Sequence, residues 1–367
     1  MNIHLDFLAN FPLNKSANAL LFEDSYPNPN IFDNAFVRDL KADSAHLSAM
    51  FNKTHAHSFD YSCGEFLCLF STLFSHHYHI VLAPSFSQQS FYAAHTFQTM
   101  HKDGLSFMPL SQQGIIESLP VLNIRPNEPI VFFLPIINQD VLSINPIESM
   151  IEQILCAYPH ALIFCDISLF LSTLTQAHLE SLRLLKHKKL LFMCNAEHIG
   201  LMRKCGFILS ELSDGEIPAL KAYFDTQLLR PNLFKAAITA IEDILALPPS
   251  IDTKAQFFTS LQSHLKDDMA LFVPYHLLNS PNALALRFKG IKARLLIESL
   301  QIAGIYAING QDCLFGNAKP SFVLHSMGYD EPQCRELLSV SYKHLDDIES
   351  ITSHIASAYL QLRQFHL

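Results

Sequence analysis

Leu191-Phe192-Met193-Cys194-Asn195-Ala196-Glu197-His198-Ile199-Gly200 is an apolar run that ends in a short polar turn. A second apolar run follows over Leu201 to Leu209, interrupted at Gly206. The pattern predicts a buried strand, a turn at a site, and a second strand. Upstream, Pro129 to Pro135 is continuously apolar, without the alternation of a half-exposed strand. Parallel strands covered on both faces read this way. His79 to Ala83, Leu105 to Leu110 and Ala161 to Asp166 are further short strands. Ser87 to Met100, Ile147 to Tyr158 and Leu179 to Lys186 have helical spacing. This alternation over residues ~55–210 predicts a doubly wound α/β domain with a mainly parallel sheet. The turn Asn195–Gly200 is where the chemistry of such a fold is expected.

Toward the N-terminus, residues 2–13 read as an extended arm closed by a proline. Asn28 to Asn30 is turn-like and Asp43 to Met50 is helical. Tyr61 to Glu65 is a small-residue turn leading into an apolar helix, Phe66 to Phe74. That order is a common way to present backbone N–H groups to an anion. Beyond residue 210 the pattern changes. A long helix, Pro231 to Leu247, stops at Pro248-Pro249. Strands are expected at Asp267 to Val273, Ala283 to Phe288, Ile305 to Ile308 and Leu338 to Tyr342. Helices are expected at Lys292 to Ala303, Pro320 to Met327 and Asp346 to Phe365. This second set suggests a smaller α+β domain beginning at the proline pair. The expected division is a large domain over 14–247 and a small domain made of 1–13 and 248–367.

A chain of 367 residues, 49% of them hydrophobic, is long enough for a large core. Only 16% of residues are charged and the net charge is −9, which argues against nucleic acid or an anionic membrane as partner. No apolar run is long enough to span a bilayer. The N-terminus lacks a basic region followed by an apolar one, so no signal peptide is expected. Eight scattered cysteines without a CxxC pair fit reduced thiols in a cytoplasmic protein. Gly-rich phosphate loops, HExxH and GxSxG are absent, which removes common NTPase, zinc protease and serine hydrolase readings. The histidines at His55, His57, His76, His77 and His79 match no zinc spacing.

In order and spacing, several stretches resemble the cysteine desulfurases of the class V aminotransferase family. Ile3-His4-Leu5-Asp6-Phe7-Leu8-Ala9-Asn10-Phe11-Pro12-Leu13 is similar to the family opening I-Y-L-D-N-A-A-T-T-P-L. Asn138-Gln139-Asp140-Val141 followed by Ile144-Asn145-Pro146-Ile147 resembles N-N-E-V-G-T-I-Q-P-I. Cys165-Asp166 sits where the family has V-D, and Gly310-Gln311-Asp312-Cys313 resembles G-S-A-C. The resemblance implies the pyridoxal phosphate (PLP)-dependent transferase fold type I: a large doubly wound domain, a smaller α+β domain, and a homodimer. It also implies PLP as cofactor, a catalytic cysteine at Cys313, and a sulfur-acceptor or iron–sulfur assembly partner.

The site positions carried over by this resemblance are mostly altered. The family's Schiff-base lysine falls on His198, and an imidazole cannot replace a primary amine there. The phosphate turn S-G-G-T-E becomes Ser62-Cys63-Gly64-Glu65-Phe66, which puts a carboxylate beside the phosphate position. Asn195 stands for the family's serine before the lysine, Arg230 for the threonine given across the dimer, and Ser87 for the histidine that stacks on the ring. Leu169 replaces the glutamine near the ring hydroxyl, and Ser339 replaces the arginine that holds the substrate carboxylate. Asp166, Asn138 and Cys313 are retained. The expectation is a degenerate homologue without covalent PLP that acts as a binding or scaffold protein. Two alternatives stand beside it: a PLP enzyme using another amine such as Lys204, and a sulfur relay through Cys313. Phe7, Phe11, Phe66 and Leu169, at formerly polar positions, would plug the old cleft.

Overall fold

The computed structural model describes residues 2–23, 34–122, 128–212, 215–227, 230, 232–278, 282–310 and 320–365. The strands among these residues are β1 (Ile3–His4), β2 (His55–Ser58), β3 (His79–Leu82), β4 (Leu105–Phe107), β5 (Ile130–Pro135), β6 (Leu162–Asp166), β7 (Leu190–Asn195), β8 (Gly206–Ser210), β9 (Met269–Leu271), β10 (Ala283–Phe288), β11 (Ile305–Tyr306) and β12 (Leu337–Ser341). A seven-stranded sheet has the order β2-β8-β7-β6-β5-β3-β4. The pairs from β4 through β7 are parallel, whereas β8 is antiparallel to both β7 and β2.

Every residue of β5, β6, β7 and β8 is buried, as their unbroken apolar runs require. One face of the sheet packs under Cys63–Ser75, Gln88–Met100 and Pro218–Phe224. Its core carries seven buried phenylalanines, Phe59, Phe66, Phe70, Phe86, Phe97, Phe133 and Phe164, among aliphatic side chains. Phe133 and Phe164, neighbours on β5 and β6, stack at 4.7 Å with an interplanar angle of 2°. The opposite face packs on Asn34–Met50, Ile147–Ala157, Gln176–Leu184 and Leu233–Ala246.

The opening stretch folds nearly as its sequence predicts. β7 ends at Asn195, Ala196–Ile199 form one 3-10 turn, and β8 returns beside β7. The return strand starts at Gly206 rather than Leu201, since Leu201 to Cys205 form a connecting loop. Gly206 is required there by close approach. A Cβ would sit 2.6 Å from the carbonyl oxygens of both Cys194 and Phe59. Gly200 closes the turn in the left-handed region, φ +85°, where its Cα lies against the backbone of Pro12 and Asn14.

A three-stranded antiparallel sheet, β12-β10-β9, forms the second lobe with helices Lys254–Leu265, Ala293–Ile302 and Ile348–Gln364. Lys254–Leu265, just after the proline pair, has no counterpart in the sequence reading. The N-terminal arm joins this lobe. β1 pairs in parallel with β11, and Asp6 bridges to Ser341. β11 ends at Tyr306, two residues earlier than expected, although Ile308 still bridges to Ser339. The turn expected at Asn28 to Asn30 lies outside the described residues.

Candidate functional site

A cleft of about 270 Å³ opens where β5, β6 and β7 end. The carboxyl ends of parallel strands are the usual ligand position in open α/β sheets. Gln139, Leu169, Asn195, Glu197 and His198 come from the ends of β5, β6 and β7 and the segments that follow them, Leu8 to Phe11 from the arm, and Ser339 and Ser341 from the second lobe.

His198 is held by the arm. Its Nδ1 lies 2.8 Å from the Leu8 carbonyl oxygen. A carbonyl only accepts, so Nδ1 carries the proton and Nε2 of the neutral ring is an acceptor. Burial pushes this imidazole down to about 4. The backbone carbonyl of His198 accepts from Ser172 Oγ at 2.9 Å. Among the described residues, no lysine lines the cleft. Lys204 is exposed on the loop before β8, in the left-handed region at φ +61°, and does not contribute to the wall.

Asp166, at the end of β6, is buried behind the cleft wall. Four donors converge on its two oxygens. Gln139 Nε2 (2.8 Å) and the Tyr61 hydroxyl meet Oδ2; the Ser168 N–H (2.8 Å) and Ser168 Oγ meet Oδ1. Burial raises this carboxyl to about 6, against the pull of those hydrogen bonds. Ser168 Oγ in turn accepts from the Asn195 N–H at 2.7 Å, which ties the strand-end turn to the carboxylate. Tyr61 reaches Asp166 from a left-handed backbone, φ +49°, and its hydroxyl lies beside Ser87. The ring packs edge-on against Phe59 and Phe66.

The turn expected over Tyr61 to Glu65 is shorter than that, because helix Cys63–Ser75 already begins at Cys63. Ser62 is its N-cap and accepts from the Glu65 N–H at 3.2 Å. Gly64 lies exposed in the first turn, where a Cβ would meet nothing within 4 Å. The Glu65 carboxylate accepts from the Tyr223 hydroxyl. Arg230 donates to Asp60 and to the Lys204 carbonyl. Ser87 is buried as the N-cap of Gln88–Met100 and accepts from the Ser90 N–H.

Asn138 is fully buried; its amide donates to the Gly114 carbonyl and accepts from the N–H groups of Asp140 and Val141. Ser339 donates to the Asp140 carbonyl at 2.9 Å. Cys313 lies outside the described residues. Of the four apolar replacements, Phe11 and Leu169 line the cleft and Phe7 packs on Phe11 with ring centroids 5.0 Å apart. Phe66 instead belongs to the aromatic core beneath. The sequence reading missed Tyr61 and Gln139, both of which bond Asp166. Each adjoins a residue it had singled out, and a polar group at a strand end was the available signal.

The side chains present do not fit PLP held in the manner of this fold. The position that the resemblance assigns to the amine carries an imidazole bonded to the arm. The carboxylate it assigns to a pyridine nitrogen already accepts from four donors. The helix N-terminus it assigns to a phosphate carries its own carboxylate, and the glycine there bounds no cradle.

No family profile and no curated protein sequence matches the chain. Solved structures do. The architecture is that of the PLP-dependent transferases of fold type I. Among them, a NifS-like protein from Rickettsia africae is similar over 98% of this chain and 99% of its own, at TM-score 0.67 and 14% identity. A serine palmitoyltransferase from Sphingomonas wittichii matches over 99% and 88%, at TM-score 0.65 and 17% identity. DndA from Streptomyces lividans matches over 90% and 97%, at TM-score 0.60 and 12% identity. At these identities the likeness establishes the fold expected from the sequence, and the site must be argued from its own residues.

Proposed function

We propose that this chain is a cysteine desulfurase-like protein that holds no covalent PLP and acts as a binding or scaffold protein through its interlobe cleft. The observation that carries this reading is His198. It stands at the strand-end turn to which the resemblance assigns the amine, its Nδ1–H is bonded to Leu8, and no lysine among the described residues shares the cleft wall. The homodimer and the sulfur-acceptor or iron–sulfur assembly partner implied by the resemblance belong to the same reading. Purified protein mixed with PLP and treated with borohydride tests it. The expected result is no reduced adduct on any lysine and no sulfide released from cysteine. A mapped adduct on Lys204, or on another lysine, overturns it in favour of a working enzyme with a displaced amine.

A further inference from the structure

A second cavity, of about 590 Å³, lies beside the arm and shares only Phe11 with the cleft among the described residues. Both stretches that carry the chain between the lobes form part of its wall. One is the arm, at Phe7, Phe11, Pro12 and Asn14; the other is the linker, residues 247–250, after helix Leu233–Ala246. Leu174, Ile199 and Ile244 are its buried apolar lining. Most of the polar side chains on the wall are already engaged. Asn14 Nδ2 donates to Asp243 Oδ2 at 2.8 Å, and its Oδ1 accepts from Ser16 Oγ and the Ala17 N–H. Ser172 Oγ donates to the His198 carbonyl. His178 gives Nδ1–H to the Thr173 carbonyl at 3.1 Å and its backbone N–H to Thr175 Oγ1 at 3.2 Å. Of the rest, Gln176, Asp243, Ser250 and Lys343 are exposed and meet water, and Thr173 is half-buried. The acid and the base among them, Asp243 and Lys343, are opposite in sign.

We propose that this cavity binds a small, uncharged, largely apolar molecule, and that filling it steadies the arm against the second lobe. Its volume falls within the roughly 300–1,000 Å³ of small-molecule sites. An apolar molecule there removes the surfaces of Phe7, Leu174, Ile244 and Leu247 from water. A charged one gives up its hydration shell, and the paired-off charges of Asp243 and Lys343 offer no net attraction in return. The link to the arm follows from Phe7. Its N–H and that of Leu8 bond to the carbonyl and hydroxyl oxygens of Ser341 in the second lobe. A ligand packed at once on Phe7 and on the linker holds both crossings between the lobes.

This inference does not depend on whether PLP binds. Isothermal titration of the full chain with 1-hexanol, against hexanoate and hexylamine, reads it directly. Hexanol should saturate one site per chain, at least tenfold more tightly than either ion. Phe7→Ser and Leu247→Glu should each weaken hexanol binding at least fivefold. Leu247 is exposed, so Leu247→Glu carries the test if Phe7→Ser does not fold. Hydrogen exchange at the Phe7 and Leu8 amides should slow when hexanol is bound. Absence of saturable hexanol binding overturns the proposal, as does binding of hexanoate or hexylamine as tight as that of hexanol. Unchanged affinity in the folded variants also overturns it. Saturable binding that leaves exchange at Phe7 and Leu8 unaltered removes the proposed effect on the arm.

Discussion

Two titrating groups meet at the site, and their effects on stability oppose each other. His198 is lowered from 6.5 to about 4 in the folded chain. Between those values the unfolded chain binds the extra proton, so this group makes stability rise with pH from about 4 to about 6.5. Asp166 is raised from 3.8 to about 6. There the folded chain binds the extra proton, and stability falls with rising pH across about 4 to 6. Urea denaturation of His198→Phe should therefore show a pH dependence tilted from wild type. Relative to the variant, wild type should lose stability as pH falls from 6.5 to 4. A difference that stays constant with pH would remove His198 as a buried neutral group. Tyr61→Phe leaves Asp166 Oδ2 with one donor fewer and should cost about 1–3 kcal/mol near pH 7, read by the same denaturation. The position of these groups was legible from the apolar run that precedes Asn195. Their bonds were not. Tyr61 lies a hundred residues from Asp166 in sequence and reaches it only through a left-handed backbone that no local pattern announces.

Among the elements, helix Cys63–Ser75 carries ordinary capping chemistry at the turn that the resemblance aligns with a phosphate site. Ser62 caps it, and Glu65 sits in the first turn, where a carboxylate favours the positive end of the helix. Ser62→Ala should cost about 1 kcal/mol of unfolding free energy. Gly64→Ala should do the reverse. The position is helical, a Cβ meets nothing, and alanine is favoured over glycine by roughly 0.5–1 kcal/mol. A raised melting temperature by calorimetry is the expected outcome, and a lowered one would mean that the glycine serves a close approach after all. Strand positions could be read from sequence because buried parallel strands are unbroken apolar runs. Lys254–Leu265 could not be read, because its buried face is only Lys254, Phe257, Leu261 and Leu265 among polar neighbours.

At the scale of the whole molecule, the N-terminal arm is the clasp between the two lobes. It pairs with β11, donates the Leu8 N–H to Ser341 Oγ (2.9 Å), and offers the Leu8 carbonyl as acceptor to His198. Loss of the imidazole in His198→Phe should therefore speed amide hydrogen exchange in the arm around residues 7–10 while leaving β5 and β6 protected. The far edge of the large sheet has a different guard. On β2, the Ala56 N–H and carbonyl both bond the Ser44 hydroxyl of helix Asn34–Met50, each at 3.1 Å. One hydroxyl thus occupies both backbone groups of Ala56 on the terminal strand. An unoccupied rim of this kind is a template for another chain to add itself, strand upon strand, toward fibrous aggregates. A single serine is part of what keeps this sheet from propagating beyond its own seven strands.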